Sequence, residues 1–228
     1  MCGRFALSSD EKEINKRFHA VSGEKLDVQP SYNIAPGQLS PIVLRRSPNE
    51  LTLAKFGMIP RWYKEPKMRF ATFNARSETV FSKPMYRTVI RKQRCLVPAN
   101  SYYEWTRDER HQPFNFHLRK NNLFGFAAVW ESWKDAEDHE TISFSILTKP
   151  AGAAVMSVHP RQPMILKERD EPVWLDTDIT DPKDFQYILK DSEVYEDLEG
   201  YEVSKDVGNI RNNDKKLIDP TSELRLRS

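Results

Sequence analysis

Apolar positions repeat at helical spacing in only a few places along the chain, and run or alternate over short stretches elsewhere. Ser8 followed by Glu11 has the form of a capping box, with Ile14 and Phe18 at helical spacing behind it, so a first helix is predicted over roughly residues 9–19. SYNIAPGQ (31–38) reads as a turn-rich connector. PIVLRR and LTLAKFG read as two strands of a meander joined across SPNE (47–50). KPMYRTVIRKQ (83–93) puts Met85, Tyr86, Val89 and Ile90 on one helical face. Short strand-like runs follow: RCLVP, SYYEW, FNFHL, FGFAAVW and ISFSILT. PVWLD and DPKDFQYILK (181–190) predict late helices, and the acidic stretch from Glu168 to Glu202 reads as a solvated outer layer. Strands dominate, helices are scattered and no βαβ alternation is visible. The expectation is an α+β fold, one domain over residues 1–228, with a mixed or antiparallel sheet that curls towards a barrel.

Composition narrows the function more by exclusion than by suggestion. The 228 residues are 39% hydrophobic and 11% aromatic, an ordinary globular balance. The formal net charge is +2, so any electrostatic site has to be local. The 8 glycines do not cluster, which removes phosphate-cradling loops and dinucleotide fingerprints. Cys2 and Cys95 form neither a disulfide framework nor a zinc-type spacing, so no metal and no cofactor is expected. No apolar run approaches a membrane span, and MCGRFALSSDEKE lacks a signal-peptide layout. A cytoplasmic setting is expected, in which a Cys2 thiol persists. From Thr79 to Tyr103 there is no Asp or Glu, but there are Lys83, Arg87, Arg91, Lys92 and Arg94. Trp62, Tyr63, Phe70 and Phe73 precede this stretch, and Tyr102, Tyr103 and Trp105 end it. That composition suits a single-stranded nucleic acid groove; it equally suits a solvated helix face beside core rings.

Four places carry candidate chemistry. Removal of Met1 would leave Cys2 with an α-amine and a thiol on adjacent carbons, both with usable nucleophilic fractions near neutral pH. Such a pair condenses with an aldehyde to an imine, which the thiol closes to a five-membered thiazolidine. The same residue could instead serve an N-terminal hydrolase, or be a cysteine in a frayed end. FNARSE (73–78) offers Asn74 to fix a substrate oxygen or orient an amine and Arg76 to hold a phosphate, or else a turn Asn beside a surface Arg. Glu104 in SYYEW is a carboxylate among rings, either with a raised pKa or paired at a sheet edge. His159 in SVHPRQPMIL is framed by prolines beside Arg161, suited to proton transfer or to a structural role. No GxSxG elbow and no HExxH motif is present.

Read in order, MCGRF, YNIAPG, FGMIPRW, NARSET, KPMYR, RCLVPANSYYEW, QPFNFHL, AAVWE, VHPRQPMIL and VGNIRNN resemble the SRAP family of abasic-site processing proteins. The resemblance runs from residue 2 to about 213, leaving a short C-terminal tail. It implies a single α+β domain with a barrel-like sheet, single-stranded DNA containing abasic sites as partner, a monomer, and association with the nucleoid when bound. It implies Cys2 as nucleophile and thiazolidine partner, with an associated lyase activity and autocatalytic release of Met1. By the same resemblance Asn74 positions the amine or sugar oxygen, Glu104 is the catalytic carboxylate, and His159 assists ring opening and reversal. Arg4, Arg76 and Arg161 are implied phosphate contacts, with Trp62, Trp105 and Arg87 as further DNA-facing residues. The chain departs from the common family pattern at Phe56, Ser101, Pro160 and Gln162.

Overall fold

The computed structural model describes residues 2–22, 26–46, 48–65, 68, 70–120, 123–190 and 197–227. Met1, part of the SPNE turn and residues 191–196 of the acidic stretch therefore lie outside the described residues. The chain starts with β1 (Phe5–Leu7) and α1 (Glu11–Phe18). The helix is capped two residues later than the Ser8–Glu11 spacing predicts. Asp10 accepts from the Glu13 amide at 2.8 Å while Glu13 accepts from the Asp10 amide at 3.2 Å. Ser8 is not available as a cap, because its amide and that of Ser9 both donate to Asn100 Oδ1, at 2.7 and 3.1 Å.

Then follow β2 (Ala20–Ser22), β3 (Ser31–Ile34), β4 (Leu39–Leu44), β5 (Asn49–Phe56) and β6 (Asn74–Arg76). Half of the expected 31–38 connector is thus a strand, recruited because β3 pairs with β1 and buries Ile34 opposite Phe5. The 83–93 segment is a series of turns that becomes regular helix only at α2 (Val89–Lys92). β7 (Arg94–Ala99), β8 (Ser101–Trp105), β9 (Pro113–Leu118), β10 (Phe124–Lys134) and β11 (Glu140–Pro150) match the strand-like runs. The chain ends through α3 (Ala153–Met156), β12 (Arg161–Pro163), α4 (Glu171–Leu175), α5 (Pro182–Lys190), β13 (Leu198–Val203) and β14 (Pro220–Arg227). Among the described residues no helix is long and apolar enough to cross a membrane.

Five strands close a barrel: β4 pairs with β5, β5 with β11, β11 with β10, β10 with β7, and β7 with β4. Of these pairings β5–β11 alone is parallel. The long β11 runs past the barrel rim, where β6 and β12 flank it, aligning Ile146 with Asn74 and Pro150 with Arg161. The second sheet is antiparallel, in the order β14-β13-β9-β8-β1-β3. β1 couples the two layers. Phe5 packs edge-on against Phe56 and Phe126 of the barrel, at 5.5 and 5.9 Å. The opposite face of β1 and β8, Ala6 and Tyr103, is covered by Val203, Val207 and Leu217. The residues beyond 213 are not a free tail, since β14 pairs along β13. The late acidic stretch is not uniformly a solvated layer either: Glu171 and Glu199 are buried, Glu171 against Arg17 and Glu199 beside Arg225 and Arg227.

Arg94, grouped by sequence with the basic stretch, is fully buried. Its guanidinium donates to the carbonyls of Ile90, Arg91, Trp174, Asp176 and Ile179, and its Cζ lies 4.1 Å from the Phe185 ring centroid. One side chain thereby closes the ends of α2 and α4 onto the barrel wall. An ammonium has three donors and no planar fork, so Arg94→Lys leaves buried carbonyls without partners. The expected loss is about 2–4 kcal/mol of unfolding free energy in a denaturant titration. A loss indistinguishable from that of a surface Arg→Lys change would count against this anchoring role.

Candidate active site

Three segments distant in sequence meet at one end of β1. The first is the N-terminal segment, which enters the core instead of fraying. Cys2 is fully buried, its thiol 3.9 Å from the Arg4 carbonyl oxygen. The second is β6, tied along the rim of β11. Asn74 Nδ2 donates to the Cys2 carbonyl at 3.0 Å, and the Asn74 carbonyl accepts from the Tyr86 hydroxyl at 3.1 Å. Asn74 Oδ1 is buried and has no partner among the described residues. The third is β8, where alternation puts Tyr102 and Glu104 on the face towards the barrel and Tyr103 on the other.

Electrostatics binds these segments into one site. Burial raises the Glu104 carboxyl to about 7. Burial, followed by repulsion from Glu104, pushes the Cys2 thiol far above its ordinary value. Each charge raises the cost of the other, so the pair favours at most one negative charge.

His159 sits at the same rim, on the turn between α3 and β12. Its amide donates to the Val155 carbonyl at 2.8 Å. Its Nδ1 lies 2.9 Å from the Arg161 carbonyl and 3.1 Å from the Arg161 amide; the first contact needs Nδ1 protonated and the second needs it bare. Burial lowers the imidazole pKa, opposed by the Arg161 backbone bond and reinforced by the Arg107 and Arg161 charges. Gln162, one of the departures from the family pattern, organises this turn by accepting from the Gly152 amide at 2.7 Å. Thr148 links the turn to the strand carrying Asn74: it pairs with Arg76 on β6 and accepts from the Arg161 guanidinium.

The six expected DNA-facing residues divide into two groups. Arg4 and Arg161 have internal partners. Arg4 donates to Asn33 at 2.7 Å and to the Val207 carbonyl at 2.6 Å, and lies over the ring of Trp105, itself half-buried. Arg161 is 14% exposed and makes a two-pronged bond to Glu78 at 2.6 and 2.9 Å. Arg76, Arg87 and Trp62 are exposed. Trp62 and Arg76 line a cleft of about 380 Å³ together with Phe70, Lys83, Met85 and Asn74. Of the rings flanking the basic stretch, Tyr102 and Tyr103 are buried, while Trp62 and Phe70 are 59% and 57% exposed. Sequence reasoning passed over Glu78 and Arg107 as partners of the His159 turn, and nothing in local spacing marks them. Among the described residues, Asp135, Glu137 and His139 could converge on a metal ion, but they occupy the surface turn between β10 and β11 and belong to no part of this site.

A closed barrel backed by an antiparallel sheet, with Cys2 buried at one end of β1 beside Asn74, defines an α+β protein. The chain belongs to the SOS response associated peptidase (SRAP) family, whose pattern matches residues 1–210. It is 36% identical over 226 residues to the abasic site processing protein YoqW of Bacillus subtilis (strain 168), covering 96% of this chain and 99% of that protein. It is 30% identical over 259 residues to the abasic site processing protein HMCES of Xenopus tropicalis, covering 93% of this chain and 76% of that one. Its fold is similar to that of a protein from Bacteroides thetaiotaomicron, with a TM-score of 0.87 at 22% identity over 97% of this chain and 100% of that one.

The raised Glu104 pKa has a signed consequence for stability. The folded state holds the Glu104 proton more tightly than the unfolded chain does, so stability falls as pH rises from about 4.5 through about 7. The full difference is on the order of 3 kcal/mol. Glu104→Gln keeps the shape and removes the charge. It is expected to melt above the wild type at pH 8 and to lose that advantage by about pH 4.5, read by thermal unfolding across the interval. A pH-independent difference would contradict the burial argument.

Proposed function

We propose that this chain captures abasic sites in single-stranded DNA as a covalent cross-link through Cys2, after Met1 has been removed. The observation that carries this reading is the convergence of Asn74 and Glu104 on Cys2: an amide holds the cysteine backbone while a carboxyl that titrates near neutrality faces its thiol. The relatives' names, and the family to which the chain belongs, support the same substrate.

The chemistry follows from the groups present. The ring-opened abasic sugar is an aldehyde at C1′. The α-amine of mature Cys2 adds to that carbon to give a carbinolamine, which loses water to form an imine. The Cys2 sulfur then adds to the imine carbon, and the thiol proton is transferred to nitrogen, leaving a thiazolidine and one released water. Glu104, with a pKa of about 7, is suited to accept the amine or thiol proton and return it to the departing hydroxyl. His159, kept largely neutral by its surroundings, is the group for proton transfer at the sugar ring oxygen. Thiol closure competes with β-elimination from the imine, so the strand is shielded while a lyase path stays chemically open. The cleft with Trp62, Phe70, Arg76 and Lys83 presents exposed rings beside cations, the combination that holds a single strand without reading its sequence.

The test is a denaturing gel with intact mass, using protein whose N-terminus is verified as Cys2 and a single-stranded oligonucleotide carrying one abasic site. A cross-linked species is expected only with the abasic strand, with a mass increment equal to the DNA minus one water, and Cys2→Ala is expected to abolish it. Persistence of the cross-link in Cys2→Ala would overturn the cysteine mechanism, and failure of verified mature protein to cross-link would overturn the function. Trp62→Ala is expected to weaken binding of an undamaged single strand by about 5- to 100-fold in a fluorescence anisotropy titration, the range of one lost base–aromatic stack. Unchanged affinity would move the strand away from this cleft.

A further inference from the structure

The segment that brings Lys83, Met85 and Tyr86 to the cleft ends, at Lys92, on a second concavity that shares no lining residue with the first. This pocket of about 190 Å³ draws on the residues just past β4, the end of α2 and the side of β10. Arg45, Arg46, Lys92, Arg94, Trp130 and Thr177 line it; four of them are cations and none is acidic. Two carboxylates contact this lining, each paired one to one: Asp176 with Arg45 at 3.1 Å, and Glu50 with Arg46. Glu131, next to Trp130 in the chain, turns instead to Arg61 and Gln93. Lys92 is exposed and has no ion pair among the described residues. Arg94 is the buried member. All five of its N–H groups are taken by main-chain carbonyls, and no carboxylate contacts it. It offers the pocket no free donor, but it sets a fixed positive charge beneath it, where screening by water is weak.

We propose that this pocket binds a phosphate group, with Lys92 and Arg46 as its cationic contacts, the Thr177 hydroxyl as a neutral donor and Arg94 as the fixed charge behind them. Two positive charges remain after the Asp176 and Glu50 pairings, which matches a doubly charged phosphate. The volume sets the size of the ligand. Pockets that enclose whole small molecules hold roughly 300–1,000 Å³, so this one suits a single phosphate rather than a nucleoside. Guanidinium and ammonium donors form charge-assisted hydrogen bonds to phosphate oxygens, about twice as strong as neutral ones. Two sources present the same chemistry: a backbone phosphate of a single strand, and a free phosphate or phosphorylated small molecule. The strand is close at hand. Gln93, the residue after Lys92, accepts at 3.2 Å from Arg61, the residue before Trp62, so one side-chain contact links the pocket to the cleft.

The test is thermal unfolding of the full chain in rising inorganic phosphate, against sodium chloride of matched ionic strength. A ligand of the folded state raises the midpoint in step with its occupancy. Phosphate is expected to raise that of the wild type, and the double variant Lys92→Gln, Arg46→Gln is expected to need about tenfold more phosphate for the same rise. Lys92→Gln alone is expected to lose part of the response, and Lys92→Arg, which keeps the charge, to retain it. Both positions are exposed, so all variants are expected to unfold with the wild type in chloride. A phosphate effect of equal size in wild type and double variant is the general action of an excluded salt and would overturn the inference. The affinity of an undamaged single strand, measured across salt concentrations, separates the two sources. With a strand phosphate in the pocket, the slope of log affinity against log salt becomes shallower by about 0.7 in the double variant, the loss of one contact. An unchanged slope beside a lost phosphate response assigns the pocket to a free phosphate. Neither measurement involves Cys2 or an abasic site, so failure of capture and failure of this pocket are read separately.

Discussion

The buried pairing of Cys2 with Glu104 is the constraint around which the rest of the molecule is arranged. A chain terminus is normally solvated, and a carboxyl normally titrates in water. Here both are withdrawn from water, burial raises both pKa values, and Glu104 raises that of Cys2 further. The arrangement is unfavourable on its own account, so the surrounding structure has to enforce it. β1 does so by running between the barrel and the second sheet, with Phe5 locked into one layer and Ala6 covered in the other. The Asn74 amide holds the Cys2 backbone from the barrel rim.

The barrel explains why a rim residue can reach the chain start at all. β11 is longer than its barrel partners need, and its overhang carries β6 on one edge and β12 on the other. Asn74, the Thr148 bridge and the turn holding His159 therefore share one rigid strand as their common support. Precise placement of reacting groups follows from such shared support more readily than from separate loops. The Glu78–Arg161–Thr148 cluster adds a second brace, fixing the residue whose backbone faces the His159 ring.

The arginines of this protein illustrate how the same residue type divides between architecture and surface. Arg4, Arg94 and Arg161 spend their donors on internal carbonyls, an amide and a carboxylate. Planar multi-donor geometry suits that use, since several acceptors are satisfied by one rigid group. Arg76, beside Trp62 and Phe70, and Arg87 stay exposed, where a guanidinium retains its hydration and its reach. Net charge of +2 conceals this division entirely.

What the sequence by itself determined was seven of the strands and the chemistry of single residues. Alternation and apolar runs marked β4, β5 and β7 through β11, because those strands bury their side chains against immediate neighbours. Cys2, Asn74, Glu104 and His159 were legible one at a time, from position, flanking rings and flanking prolines. The ordered motifs tied them to one family. Local signals misplaced the first helix cap, since Asn100, distant in the chain, had already taken the Ser8 and Ser9 amides. They read residues 31–34 as a connector, since only β1 makes them a strand. They placed Arg94 on the surface, since the five carbonyls that bury it come from two separate segments. Closure of the barrel, the meeting of Cys2 with Glu104 and the partners of Arg4 and Arg161 were decided only by the tertiary structure. Each of them is a contact between residues far apart in the chain, and both desolvation and hydrogen-bond satisfaction depend on what surrounds a group in space rather than on what precedes it in sequence.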